Sequence, residues 1–366
     1  MKDWIKNAML FGASSLIALG GIEIGLRTIG DDLAMGNQYA FFRFDPKLGW
    51  GNTPGETGNY IRSEFSYPVS NNALGMRDDE IEAKKPGEKR VAVLGDSFTW
   101  GVGTATGERF TEVIEKLDPA FNVLNFGVSG YGTVQQSVQL EQALAQDPDA
   151  VVVAFCLGND PLDNLLPFRY NYHKPTAELG PDGKVEVVGY PLYEVQSFGA
   201  ALSGGLSELR VVGLVRQFLR RRAEKAWMEE NGREVDVTLR DAEMYAPDSA
   251  LTDDERAQRE RALDVAAGLL AQMNAETAAK LGAGRFVVLF VPTKFEAGIA
   301  EQALEGAEQN RVADALKTRL DAAGVPVVDG RTAITPQDFW ERDGHWRPAG
   351  HEKIGRLLAD GLKGRL

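Results

Sequence analysis

The segment Ala150–Cys156 (Ala-Val-Val-Val-Ala-Phe-Cys) constrains this chain more than any other. It is an uninterrupted apolar run, rich in β-branched valine. A strand made from it has no polar side to turn towards water, so it must be covered on both faces. Strands of that kind belong to parallel sheets, whose crossover helices lie on either side. The surrounding sequence repeats the theme. Arg90–Leu94, Phe121–Leu124, Arg285–Val291 and Val325–Val328 read as further short strands. Between them, helical patterns run over Gly107–Leu117, Thr133–Ala145, Asp253–Leu281 and Glu301–Ala323, and a last helix follows Pro348. The glutamine pairs of Thr133–Ala145 are assigned to its wet face. Strands alternating with helices over residues 89–366 predict an α/β fold with a five-stranded, doubly wound parallel sheet.

The alternation pauses at about residues 161–250, a turn-rich stretch with one helix-like piece near Leu206–Trp227; it reads as an insertion or cap. Residues 31–88 are rich in Gly, Pro, Asn and aromatics and read as an irregular, packed arm. At the N-terminus, Lys2 and Lys6 precede an uncharged run from Ala8 to Ile22. A positive flank before an apolar run marks residues 1–30 as a signal anchor or signal peptide. Continued through Glu23 to Leu26, the run reaches the roughly 20 residues that a spanning helix needs. The reading favoured is an uncleaved anchor with the remaining chain outside the cytoplasm, periplasmic or extracellular; cleavage would make it secreted.

Composition narrows the function classes. With 40 Lys+Arg against 53 Asp+Glu, the net charge is −13, the wrong sign for a protein whose main partner is nucleic acid. The basic piece Arg216–Arg222 with Lys225 reads as the solvated face of a helix. Cys156 is the one cysteine, so no intramolecular disulfide forms, and its place at the end of a buried strand makes it inert. Neither a phosphate-binding Gly-Lys-Ser/Thr loop nor a His/Cys cluster at metal-ligand spacing occurs, so the expectation is no metal and no cofactor.

In open α/β sheets the ligand site lies beyond the carboxyl ends of the strands. Four Gly-and-polar clusters occupy loops at that edge: Gly95-Asp96-Ser97, Asn125 to Gly132, Gly158-Asn159-Asp160, and Asp343-Gly344-His345-Trp346. A serine hydroxyl becomes a nucleophile only when a positioned base takes its proton and an acid orients that base. Of the histidines, His173, His345 and His351, only His345 sits in a loop at this edge with a carboxylate close by. Ser97 is therefore the candidate nucleophile and His345 the candidate base. The backbone amides of Ser97 and Gly130 and the side-chain amide of Asn159 are candidate donors to an oxyanion. Trp100, Tyr131 and Trp346 flank these loops, either stacking on sugar rings or packing into the core.

These clusters, in this order, resemble the blocks of the SGNH (GDSL-type) hydrolase family over roughly Arg90 to Gly355. The resemblance implies a flavodoxin-like three-layer sandwich, Ser97 as nucleophile, Ser97, Gly130 and Asn159 as the oxyanion hole, and His345 as base oriented by Asp343. Asp96 would hold the loop. The family usually separates acid and histidine by two residues, whereas here Gly344 alone intervenes. That spacing looks like the exported branch related to alginate-type O-acetyltransferases, and it leaves Glu341 and Asp338 as alternative partners of the imidazole. The expectation is a serine esterase or O-acyltransferase that forms an acyl-enzyme. Its partners would be an acylated small molecule or polysaccharide, the membrane, and a membrane acyltransferase. A lipase or thioesterase of the same fold and a non-catalytic glycan-binding scaffold are the alternatives.

Overall fold

The computed structural model describes residues 3–29, 41–170, 172–192, 237–299 and 304–366, with 209, 211–212, 214–215, 218–219, 222 and 225. At its centre is a five-stranded sheet of β1 (Lys89–Gly95), β2 (Phe121–Asn125), β3 (Ala150–Cys156), β4 (Phe286–Val291) and β5 (Val327–Asp329). The spatial order is β5-β4-β3-β1-β2, and every neighbouring pair is parallel. This is the flavodoxin-like order. Its switch point, where successive connections leave in opposite directions, lies between β1 and β3 and opens a crevice at their carboxyl ends.

Alternate residues of each strand feed two separate cores. On one face Val91, Val93, Val152, Ala154, Val287 and Leu289 pack with Phe110, Ile114, Ile354 and Leu358. Those partners come from α2 (Phe110–Leu117) and α6 (Pro348–Leu362); α1 is the N-terminal helix Asp3–Ile29. On the other face Ala92, Leu94, Val151, Val153, Val288 and Phe290 pack with α3 (Thr133–Leu144), α4 (Asp253–Leu281) and α5 (Arg311–Ala322). Each fully buried Val, Leu or Phe contributes about 1.5–3 kcal/mol. A capping box formed by Thr252 and Glu255 starts α4, and Pro348 occupies the first turn of α6, where its missing N–H costs nothing.

Three expectations need correction. The segment read as irregular contains two antiparallel hairpins, Phe42–Asp45 with Gly49–Asn52 and Thr57–Ile61 with Ser66–Ser70. Their aromatics close a third cluster, in which Phe41, Tyr60, Phe65 and Tyr67 pack with Trp100 and Val102. Of the four glutamines of α3, only Gln142 is on a wet face. Gln135, Gln136 and Gln139 are buried, because other segments cover that side: Gln135 donates to the Leu48 carbonyl at 2.7 Å and Gln136 to the Asp160 carboxyl at 3.3 Å. The helix expected from Glu301 begins at Arg311, and residues 301–303 lie outside those described. The helix expected near Leu206–Trp227, with its basic piece, also lies largely outside the described residues, although Arg222 and Lys225 are exposed. In α1, Asp3–Leu26 is long and apolar enough to cross a membrane, and its apolar side chains are largely exposed.

His351, on α6, is wholly buried, and its Nδ1 accepts a hydrogen bond from the Phe110 amide at 3.3 Å. Burial, reinforced by Arg109 and Arg77, lowers its pKa from 6.5 to about 3. Between those values the unfolded chain binds the proton and the folded chain does not, so this residue's contribution to stability falls as pH drops through that window. Denaturant unfolding at pH 7 and pH 4.5 checks this. His351→Asn, compared with itself at the two pH values, loses about 2–3 kcal/mol less than the parent; equal losses contradict the assignment.

Candidate active site

The first loop is built to present a hydroxyl. Asp96 caps the helical turn Ser97–Trp100, its carboxylate accepting from the Phe98 amide at 2.9 Å, and Gly101 ends the turn in the left-handed region. Burial pushes the Asp96 carboxyl up to about 6, against the Phe98 amide and the charge of His345, which lower it. Ser97 is thus left at the start of the turn, half-buried at the carboxyl end of β1.

The hydroxyl meets a base brought from the other end of the chain. Ser97 Oγ lies 2.7 Å from His345 Nε2, and His345 Nδ1 lies 2.5 Å from Asp343 Oδ1. Asp343 Oδ1 also accepts from the His345 amide at 3.0 Å, so the short loop closes on itself through Gly344. Burial alone would raise the Asp343 carboxyl, but the charge and hydrogen bonds of His345 outweigh it and hold the carboxyl at about 2. An ionised Asp343 draws the imidazole proton to Nδ1, leaving Nε2 as the bare nitrogen that accepts from Ser97. Phe98 lies against the imidazole with ring centroids 4.9 Å apart. The alternative acids do not touch the ring: Asp338 is buried against Thr335 and Lys353, and Glu341 is exposed.

The second and third loops flank the first. Asn125 donates to the Thr99 carbonyl at 2.7 Å and accepts from the Gly127 amide at 3.0 Å. A Cβ on Gly127 would stand 2.3 Å from the Trp100 nitrogen, so only glycine allows the two loops to approach this closely. Gly130 adopts a φ of +85°, and a Cβ there would meet the Tyr170 ring at 2.7 Å. Among the described residues, the amides of Ser97 and Gly130 donate to no loop carbonyl. Asn159 is half-buried, and its amide nitrogen lies 3.1 Å from Asp163 Oδ2 and 3.4 Å from Asp160 Oδ1. Burial, then Asp96 and Asp163, pushes the Asp160 carboxyl well above the usual range.

Several neighbours of the site escape sequence reasoning. Glu64, in the turn of the second hairpin, accepts from the amides of Glu341, Arg342 and Asp343 at 2.9, 2.9 and 2.6 Å. Arg77 is wholly buried and donates to the carbonyls of Trp100, Gly101 and Thr104. One arm therefore pins both the serine loop and the histidine loop. Tyr170 is the exposed aromatic at the mouth: it holds a φ of +52°, lies over Gly130 and meets Trp50 edge-on at 6.2 Å. Trp100, Tyr131 and Trp346, the aromatics singled out by sequence, are all buried in the packing. For Tyr170 the signal was a positive φ on a non-glycine residue, which sequence does not display.

A model of the GDSL-like lipase/acylhydrolase family matches residues 93–353. No curated protein matches the chain. Among solved structures, a lipolytic protein of the G-D-S-L family from Desulfitobacterium hafniense is 11% identical, with 75% of this chain and 99% of that one covered at a TM-score of 0.35. The aryl esterase of M. smegmatis is 16% identical, with 76% and 100% covered at 0.38. A GDSL-like lipase from Bacteroides thetaiotaomicron is 13% identical, with 77% and 92% covered at 0.37.

The short Asp343–His345 contact has a spectroscopic consequence. The Nδ1 proton of His345 is expected as a strongly downfield, slowly exchanging NMR resonance that disappears in Asp343→Ala while the other amide signals persist. A spectrum unaffected by that substitution would mean that the imidazole is oriented by something else.

Proposed function

The chain belongs to the GDSL-like lipase/acylhydrolase family and is a serine ester hydrolase, and from that premise we propose that Ser97 takes up an acyl group, acetyl above all, in chemistry on an O-acylated glycan outside the cytoplasm. The observation that carries the reading is the hydrogen-bonded chain Ser97–His345–Asp343. In the proposed sequence, His345 Nε2 takes the Ser97 proton as Oγ bonds to the ester carbonyl carbon. The amides of Ser97, Gly130 and Asn159 receive the negative charge that develops on the carbonyl oxygen. One such donor is worth about a hundredfold to a thousandfold in rate. His345 then returns the proton to the departing alcohol. Water attacking the acyl-enzyme completes hydrolysis, and a sugar hydroxyl attacking instead completes transfer. Both need the same groups.

Three observations support the finer reading. The Asp343-Gly344-His345-Trp346 spacing resembles the acetyltransferase branch. The exposed Tyr170 ring beside Gly130 offers an apolar face of the kind on which sugar rings stack. The apolar helix Asp3–Leu26, preceded by Lys2, suits an anchor with the catalytic domain outside. A membrane acyltransferase that supplies acyl groups would be a fitting partner for such an arrangement.

Ser97→Ala is expected to lower turnover of p-nitrophenyl acetate to the uncatalysed background with unfolding behaviour unchanged, and acetyl esters should be preferred over long-chain esters. Undiminished turnover in Ser97→Ala overturns the nucleophile; a strong long-chain preference overturns the acetyl reading and points to a lipase.

A further inference from the structure

Asn159 and Asp163 lie four residues apart across one short helical turn, Asp160–Asp163, so the carboxylate of Asp163 comes under the amide of Asn159. Asp163 is wholly buried and its two oxygens are divided: Oδ2 lies 3.1 Å from Asn159 Nδ2, and Oδ1 pairs with Arg169 Nε. Arg169 continues to Asp241 Oδ2 at 2.8 Å. Both Arg169 and Asp241 fall within the insertion, beyond the third loop. A carboxamide nitrogen carries two hydrogens in one plane, so a firm bond to one fixes where the other points. A buried carboxylate directly behind an oxyanion donor would repel the charge that donor must receive, unless a cation offsets it.

We propose that Asp163 and Arg169 are positioning residues: Asp163 fixes the plane of the Asn159 amide, and Arg169 neutralises Asp163 so that the amide is an effective oxyanion donor. Asp241 ties this pair to the insertion. The inference rests on the reading of Asn159 as an oxyanion donor and goes beyond it, because it makes the insertion part of the catalytic apparatus. Arg169 acts here only through Asn159, and that condition is what the test addresses.

The experiment is a double-mutant cycle on the full chain with p-nitrophenyl acetate, measuring kcat and KM for Arg169→Met, Asn159→Ala and the pair, beside Arg169→Lys. Arg169→Met is expected to lower kcat by about tenfold to a hundredfold with KM nearly unchanged, and Asn159→Ala by about a hundredfold or more. The pair should be no slower than Asn159→Ala alone, and Arg169→Lys, which keeps the charge, should recover part of the loss. Multiplying losses in the pair, an effect confined to KM, or unchanged kcat in Arg169→Met overturns the proposal. If Arg169→Met does not fold, Asp241→Asn in the same cycle replaces it, with a smaller loss that should again vanish beside Asn159→Ala. Ser97→Ala separates the two levels: residual turnover there sinks the nucleophile, whereas a silent Asn159→Ala with Ser97 still essential sinks the oxyanion role of Asn159 and, with it, the positioning by Asp163 and Arg169.

Discussion

A hydrogen bond of 2.7 Å joins Ser97 Oγ and His345 Nε2, side chains 248 residues apart in the chain. Neither loop can place its group without the other, and nothing local to either one specifies the distance. The parallel sheet does so. Because all five strands run in the same direction, every loop that follows a strand emerges at one edge, and the stretch between β5 and α6 that carries His345 starts from that edge too. Two buried cores, one on each face, keep the strands in register. The site is a consequence of strand direction before it is a consequence of any one residue.

Direction alone leaves the loops several ångströms of freedom, and the segments outside the sheet remove it. Glu64 gathers the three amides that precede His345, while Arg77 gathers three carbonyls of the loop that follows Ser97. Both lie between α1 and β1. Arg77 is sandwiched against Tyr67 and Trp100 at 4.7 and 4.6 Å from their ring centres, so its charge is held by both carbonyl dipoles and aromatic faces. The insertion does the same for the third loop through Arg169 and through Lys174, whose buried ammonium donates to the carbonyls of Asp163, Leu166 and Pro175. Loops that are rigid before substrate arrives need no reorganisation during the reaction.

What was legible in the sequence, and what was not, follows from how far each signal reaches. The continuous valines of β3 and the long helical pattern of α4 are local signals, and those elements appear where the pattern puts them. The burial of Gln135, Gln136 and Gln139 depends on segments distant in sequence covering α3, and a helical pattern with polar residues looks wet when its cover is unknown. Trp100, Tyr131 and Trp346 flank the site in sequence, which leaves stacking on a sugar and packing into the core both open; all three are buried, since a large aromatic ring beside a crowded loop is drawn into the core. The hairpins of residues 42–70 were obscured by short strands of four or five residues, too few for a period of two to stand out. Ser97, Asp343 and His345 were identifiable because short motifs announce them; Glu64, Arg77, Asp163 and Arg169 carry no motif, since their work is defined only by contacts.

The most direct test of the account is covalent. Intact-mass and peptide analysis after exposure to a fluorophosphonate should find a single adduct, on Ser97, formed rapidly in the native chain and slowed severely in His345→Ala. An adduct elsewhere, or labelling of Ser97 at the same rate without the imidazole, would contradict the claim that this hydroxyl is activated by its distant partner.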